Sequence, residues 1–205
     1  MEIAQVLFAV TPPTPAAQTG PLAGSSDASI IRAARKGDGR AEEELVRRYW
    51  DEAARSALLI IGDEYLAEDV AQEALISALS SLRKFDPSRP FGPWLHRIAI
   101  NKAIDRARKV AIDPAVMADD EIAVRAGTIS SDEPDDRGAE VLEALSDFEP
   151  EDKAMLVARH VLGYQAAEIG EWFGMPAATV RVRIHRAGIR LRLLLGEGDQ
   201  DGSND

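Results

Sequence analysis

Gly174 and Pro176 stand two residues apart inside an otherwise helical pattern, and they leave residues Gln165–Leu195 few ways to fold. Glycine accepts the left-handed backbone that ends a helix. Proline fits the first turn of a new helix, where its missing N–H costs nothing. Before the break, Ala166, Ile169 and Phe173 recur at helical spacing. After it, Val180, Ile184, Ala187, Leu191 and Leu194 follow in steps of four, three, four and three, which is one stripe of a second helix. A helix, a tight turn and a basic second helix form the pattern of a DNA-binding helix-turn-helix, whose second helix lies in the major groove. At about 100° per residue, the face opposite the stripe carries Ala178, Val182, His185 and Arg186. Arg181 and Arg183 fall on the flanks, and Thr179 lies near the helix start. Flanking arginines reach phosphates, while the central face meets base edges. A basic, solvated surface helix is the plainer alternative at this point.

Net charge argues against DNA until it is resolved along the chain. The 205 residues sum to −11. Residues 30–110 carry 15 basic and 13 acidic side chains, and residues 161–195 carry 5 and 2. Acid is concentrated instead in residues 111–160, with 14 acids against 4 bases, and in the tail 196–205, with 4 acids and no base. The reading segments are thus only mildly basic. Non-specific affinity comes mainly from phosphate neutralisation, so weak DNA binding by the isolated chain is expected. The absence of cysteine excludes disulfides and cysteine-ligated zinc. His96, His160 and His185 show no metal-ligand spacing, no cofactor is implied, and no apolar run reaches the roughly 18 residues of a membrane span. A cytoplasmic protein without membrane insertion is the expectation.

The pattern predicts an all-α chain of two small helical domains joined by a flexible acidic linker. Residues 1–26, rich in Pro, Ala, Thr, Gly and Ser, read as a disordered extension. A first domain spans 27–110, with helices at Ala28–Lys36, Ala41–Ile61, Glu64–Phe85 and Trp94–Lys109. A linker covers 111–137. A second domain covers 138–195, with helices at Ala139–Leu145 and Pro150–Leu162 before the helix-turn-helix. An acidic, disordered tail fills 196–205.

Two surfaces of the first domain stand out. On the long helix from Glu64, Ala71, Leu75, Ala78 and Leu82 form the core stripe, and Asp69, Gln72, Glu73, Ile76 and Ser80 lie opposite. A solvated face explains the charges, but an isoleucine there suits a partner surface. Further on, Phe85, Phe91 and Trp94 surround a proline-rich loop, followed by Arg97, Asn101, Lys102, Arg106 and Arg108. Arg97, Asn101, Asp105 and Arg108 share one helical face. Aromatics, an amide and arginines recognise unstacked bases and a single-stranded backbone. The aromatics also read as a core seal, the favoured reading for Trp94, while interface is favoured for Asn101 and Arg108.

These segments resemble one family. AEDVAQEALISALSSLRKFDP followed by FGPWLHRIAINKAIDRARK is similar to region 2 of bacterial sigma factors. LGYQAAEIGEWFGMPAATVRVRIHRAGIRLR is similar to region 4. With no recognisable region 1 or 3, the chain resembles the extracytoplasmic-function (ECF) group. The resemblance implies a promoter-specificity subunit of RNA polymerase that catalyses nothing itself. It implies docking on the β′ clamp helices through Asp69, Gln72, Glu73 and Ile76, with region 4 at the β flap. It implies melting and capture of the minus-ten element, with Asn101 holding a flipped base, Trp94 beside it, and Arg97, Lys102, Arg106 and Arg108 meeting the backbone. It implies duplex reading of the minus-thirty-five element by Thr179, Arg181, Val182, Arg183, His185 and Arg186, and an anti-sigma factor as partner. Val182 stands where serine is frequent in the family, and His185 where larger apolar or aromatic residues are common. Promoter sequence therefore does not transfer from relatives. A sigma-like decoy that sequesters an anti-sigma factor, and a stand-alone helix-turn-helix repressor, are the competing functions. Retained arginines in the second helix weigh against the first. The region 2 motif and the lack of a heptad seam weigh against the second.

Overall fold

The computed structural model describes residues 3–10, 24–112 and 136–196, and every regular element among them is helical. The elements are α1 (Ile3–Phe8), α2 (Asp27–Ala34), α3 (Gly39–Ile61), α4 (Glu64–Ser81) with a 3-10 turn at Leu82–Lys84, and α5 (Phe91–Ile112), then α6 (Asp136–Ser146), α7 (Pro150–His160), α8 (Ala166–Phe173) and α9 (Ala177–Leu194). They fall into two compact units, one drawn from residues 13–58 and 63–103, the other from 1–12, 59–62 and 104–205. The all-helical, two-domain expectation is met. The expected linker and acidic tail lie almost wholly outside the described residues, as do residues 11–23 of the expected N-terminal extension.

In the first unit, α4 begins on Asp63, whose carboxylate accepts the Leu66 N–H at 2.9 Å and satisfies a donor the helix leaves orphaned. The stripe Ala71, Leu75, Ala78 and Leu82 is buried throughout. Ala71 of the stripe, with Ala74 beside it, meets Ala53 and Ala54 of α3 and Ala99 of α5, so three helices approach closely on small side chains. Its leucines join Ile30, Leu45, Phe85, Phe91 and Leu95 in a larger cluster. Among the helix ends that differ from expectation, α4 stops at Ser81 rather than Phe85, and α5 starts at Phe91 rather than Trp94. Arg35 explains the first, because its guanidinium donates to the Leu82 carbonyl at 3.0 Å and to the Phe85 carbonyl. Those acceptors would otherwise continue the ladder or stay orphaned. Phe91 explains the second. It packs edge-on to Tyr49 at 5.2 Å and to Phe85 at 5.5 Å, and Pro93 then falls in the first turn, where its missing N–H has no helical partner.

A buried carboxylate ties α3 to α2. Glu44 accepts from Arg47 at 2.7 Å and Arg48 at 2.8 Å, and Arg48 reaches Asp27 at 2.7 Å. The hydrogen bond from Arg47 leads in holding the Glu44 carboxyl far below its ordinary value of 4.5, at about 2. A carboxyl depressed on folding contributes stability above its ordinary pKa and loses it as pH falls through the folded one. The first unit should therefore weaken between about pH 4.5 and pH 2. Urea unfolding followed by Trp50 and Trp94 fluorescence should show Glu44→Gln less stable than the parent at pH 7, with the gap closing towards pH 2.

The second unit is built on Val141 and Leu145 of α6, Met155 and Leu156 of α7, Ile169 of α8, and Val180, Ile184, Ala187 and Leu191 of α9, all buried. The stripe expected to run through Leu194 leaves the core after Leu191, and Leu194 in the last turn is exposed. One expectation is corrected: residues 3–8 are not disordered but form α1, with Val6 and Leu7 fully buried in this unit. An apolar pair one residue apart finds a place to be removed from water, which composition averaged over 26 residues conceals.

Candidate nucleic-acid and partner-binding surfaces

Local chemistry fixes the helix-turn-helix. Gln165 and Glu168 form a reciprocal capping box at the start of α8, with the Gln165 N–H donating to Glu168 Oε2 at 2.8 Å. Gly174 ends the helix at φ 64°, in the left-handed region. Gly170 permits the tight return, since a Cβ there would lie 2.4 Å from the Met175 carbonyl oxygen. Sequence reading missed this glycine, although a glycine inside an eight-residue helix was the available signal. Gly170→Ala should destabilise the second unit by about 1–3 kcal/mol, the usual range for overpacking. Thermal unfolding followed by Trp172 fluorescence, whose ring packs on Tyr164 at 4.5 Å, measures it. An unchanged midpoint would show that the turn relaxes without cost.

On α9, Thr179, Arg181, Val182, His185 and Arg186 are all exposed, and Val182 is 48% so. Arg183 differs from the others. It is half-buried, its guanidinium lies 2.6 Å from Asp152 of α7, and Nη1 contacts Met175 Sδ at 3.9 Å. It braces the second helix against α7 and the turn, whereas spacing alone had put it on an open flank.

On α5, Arg97, Asn101, Asp105 and Arg108 are exposed along one line, as their spacing requires. Lys102 and Arg106 are half-buried beside it. Lys102 Nζ lies 3.3 Å from Glu73 of α4, so a residue of the expected minus-ten set is paired with one of the expected polymerase set. Arg108, in the second unit's share of α5, is ion-paired with Glu151. Trp94 is half-buried, 4.9 Å from Phe85 and 5.5 Å from Phe91. The aromatics thus form one platform continuous with the core. His96, buried one turn earlier than Ile100, pins α5 to α3 through Glu52 at 2.8 Å.

On α4, Asp69, Gln72, Glu73 and Ile76 are exposed opposite the alanine stripe, and Ile76 is 56% exposed. The line extends to Tyr65, 63% exposed, which sequence reading did not include. Residues 65, 69, 72 and 76 follow steps of four, three and four, so the helical period was the signal. Two large apolar side chains flank an acid and an amide, a composition suited to protein contact.

Among the described residues no group of three or more His, Cys, Asp or Glu could hold a metal ion, and no helix is long and apolar enough to cross a membrane.

Residues 45–111 match the family Sigma-70 region 2, and residues 138–191 match Sigma-70, region 4. The chain is similar to the ECF RNA polymerase sigma factor SigW of Bacillus subtilis, 31% identical over 175 residues that cover 79% of this chain and 92% of that protein. It is similar to the ECF RNA polymerase sigma factor SigM of Mycobacterium tuberculosis, 32% identical over 171 residues, covering 83% of this chain and 85% of that one. Among solved structures, CnrH in complex with the cytosolic domain of CnrY superposes with a TM-score of 0.62 at 27% identity, over 85% of this chain and 99% of that one. The sigma factor RpoE, in complex with the anti-sigma factor NepR from Bartonella quintana, shares the fold at a TM-score of 0.58 and 18% identity, over 77% and 98%.

Proposed function

The chain belongs to the ECF RNA polymerase sigma factors, and from that membership we propose how its surfaces divide the work of promoter-specific initiation. It acts with core RNA polymerase and promoter DNA. The observation that carries the division is the coexistence, in one chain, of an exposed reading face on α9 and two exposed faces on α4 and α5.

The α4 line Tyr65, Asp69, Gln72, Glu73 and Ile76 docks on the β′ clamp helices. The α5 line receives the minus-ten element as single strand. Asn101 offers an amide to one flipped base, whose unstacking costs a few kcal/mol and so calls for a dedicated pocket. Arg97, Lys102, Arg106 and Arg108 neutralise backbone phosphates. The half-buried Trp94 and its aromatic neighbours act as the rigid wall behind Asn101. On α9, Thr179, Val182, His185 and Arg186 face base edges and Arg181 a phosphate. Arg183, held by Asp152, sets the helix's position instead of reading DNA. Val182 in a major groove favours a thymine methyl over a hydrogen-bonding edge. Region 4 further contacts the β flap, and an anti-sigma factor is the partner that restrains the free chain.

Run-off transcription with core polymerase over a genomic promoter library tests this. Initiation should need both proteins and select a small set of promoters, while the isolated chain binds duplex poorly. Tight binding of the isolated chain to a palindromic duplex, with no initiation, would favour a repressor. Capture of an anti-sigma factor with no initiation would favour a decoy, a reading that exposed Arg181 and Arg186 oppose.

A further inference from the structure

We propose that residues 3–8 are a removable cap on the helix-turn-helix unit, seated in an apolar groove formed by α6, α7 and α9. The occupant is the chain's own N-terminal segment. Val6 and Leu7 are fully buried, although they belong to a helix of six residues. Two glycines make room for it. Gly188 is buried in the interior of α9, and a Cβ there would fall 2.4 Å from Ile3 Cδ1. At Gly138, near the start of α6, a Cβ would meet the Ala9 carbonyl oxygen at 3.0 Å and Val10 Cα at 3.3 Å. Glycine inside an 18-residue helix is unfavourable by itself. The Ile3 δ-methyl occupies the space this glycine leaves open.

The cap is helical only while it is docked. Six residues are too few to hold a helix in water without packing. The first turn of α1 has no acidic residue and the last turn no basic one, so no charge within the helix supports it. Undocking therefore converts α1 to coil and opens the groove. The cap also reaches the reading helix. Ile3 lines a cavity of about 390 Å³ together with Arg181, Ile184 and His185. Docked, it brings an apolar side chain beside two residues assigned above to the minus-thirty-five element. Arg181 and His185 stay exposed beside it, so the docked cap narrows a phosphate's approach to that edge, and engagement of DNA is fullest when the cap leaves. This last step rests on the proposed roles of Arg181 and His185.

The chain contains no cysteine, which makes the test clean. A Cβ at position 188 lies 3.7 Å from Ile3 Cγ1, which is the place a cysteine Sγ would take at residue 3, so a small adjustment brings the two thiols into disulfide geometry. In the full chain carrying Ile3→Cys and Gly188→Cys, mild oxidation should give an intramolecular disulfide in most molecules and in neither single variant. Failure to form it would overturn the docking. With core polymerase, the oxidised protein should initiate about tenfold less than the same protein reduced, at a promoter dependent on its minus-thirty-five element. Equal activity would overturn the masking. Deleting residues 1–10 should raise affinity for minus-thirty-five duplex, and an unchanged affinity would count against the masking equally. If the unsubstituted chain fails to initiate, the proposed function fails, while disulfide formation still decides whether the cap docks.

Discussion

Asn101→Ala should reduce open-complex formation by about tenfold or more while leaving holoenzyme assembly unchanged, since an amide that pairs with one base edge is worth about 1–3 kcal/mol of discrimination. The side chain is exposed on the outer line of α5, so its loss leaves no cavity and no orphaned buried partner. Its neighbours Ala99, Ile100 and Ala103 hold the helix in place from the core side. A drop in promoter opening would thus report lost recognition, not lost structure. Permanganate reactivity of promoter thymines measures opening, and titration of core with labelled chain measures assembly. Unchanged reactivity would remove Asn101 from the minus-ten role. A parallel fall in both would place it in core binding instead.

Ile76→Asp should have the complementary effect. Ile76 is 56% exposed in the free chain and would be covered by polymerase. An aspartate there would be buried without a partner, beside Glu73 and Asp69 on the same line. Core affinity should fall by about 30-fold, the 2 kcal/mol or more expected at an interface anchor. Fold stability should change little, because the position touches no core cluster. Tyr65→Ala should weaken core binding in the same direction by a smaller factor, testing the extension of the surface by one helical turn. Normal core affinity in Ile76→Asp would place the docking surface elsewhere than on α4.

Periodicity revealed what is repeated and missed what is contingent. The stripe Ala71, Leu75, Ala78 and Leu82 and the break at Gly174 follow from the helical period and from glycine's backbone freedom, which require no knowledge of the partners. The same arithmetic placed Asp69, Gln72, Glu73 and Ile76 outside. It failed where a distant side chain decided the outcome. Arg35 lies 47 residues from Leu82, so no local pattern signals that it ends α4. Asp152 lies 31 residues from Arg183, so a residue that looked free is committed. The N-terminal segment from Ile3 to Val10 lies against glycines at 138 and 188, far along the chain. Gly170 and Tyr65 were within reach, one from a costly glycine inside a helix and the other from continuing the helical step one turn further.

The Lys102–Glu73 pair joins the two working faces of the first unit, one assigned to DNA and one to polymerase. If core engages Glu73, the ammonium it held is released towards phosphate, and if phosphate takes Lys102 first, the carboxylate is released towards core. Linkage makes that exchange reciprocal: whatever factor core adds to the affinity for promoter, promoter adds to the affinity for core. A partly exposed pair is worth at most about 1 kcal/mol, so the cooperativity it transmits is at most about fivefold. Such a bond would act as a thermodynamic gear between two binding events that no residue touches in common.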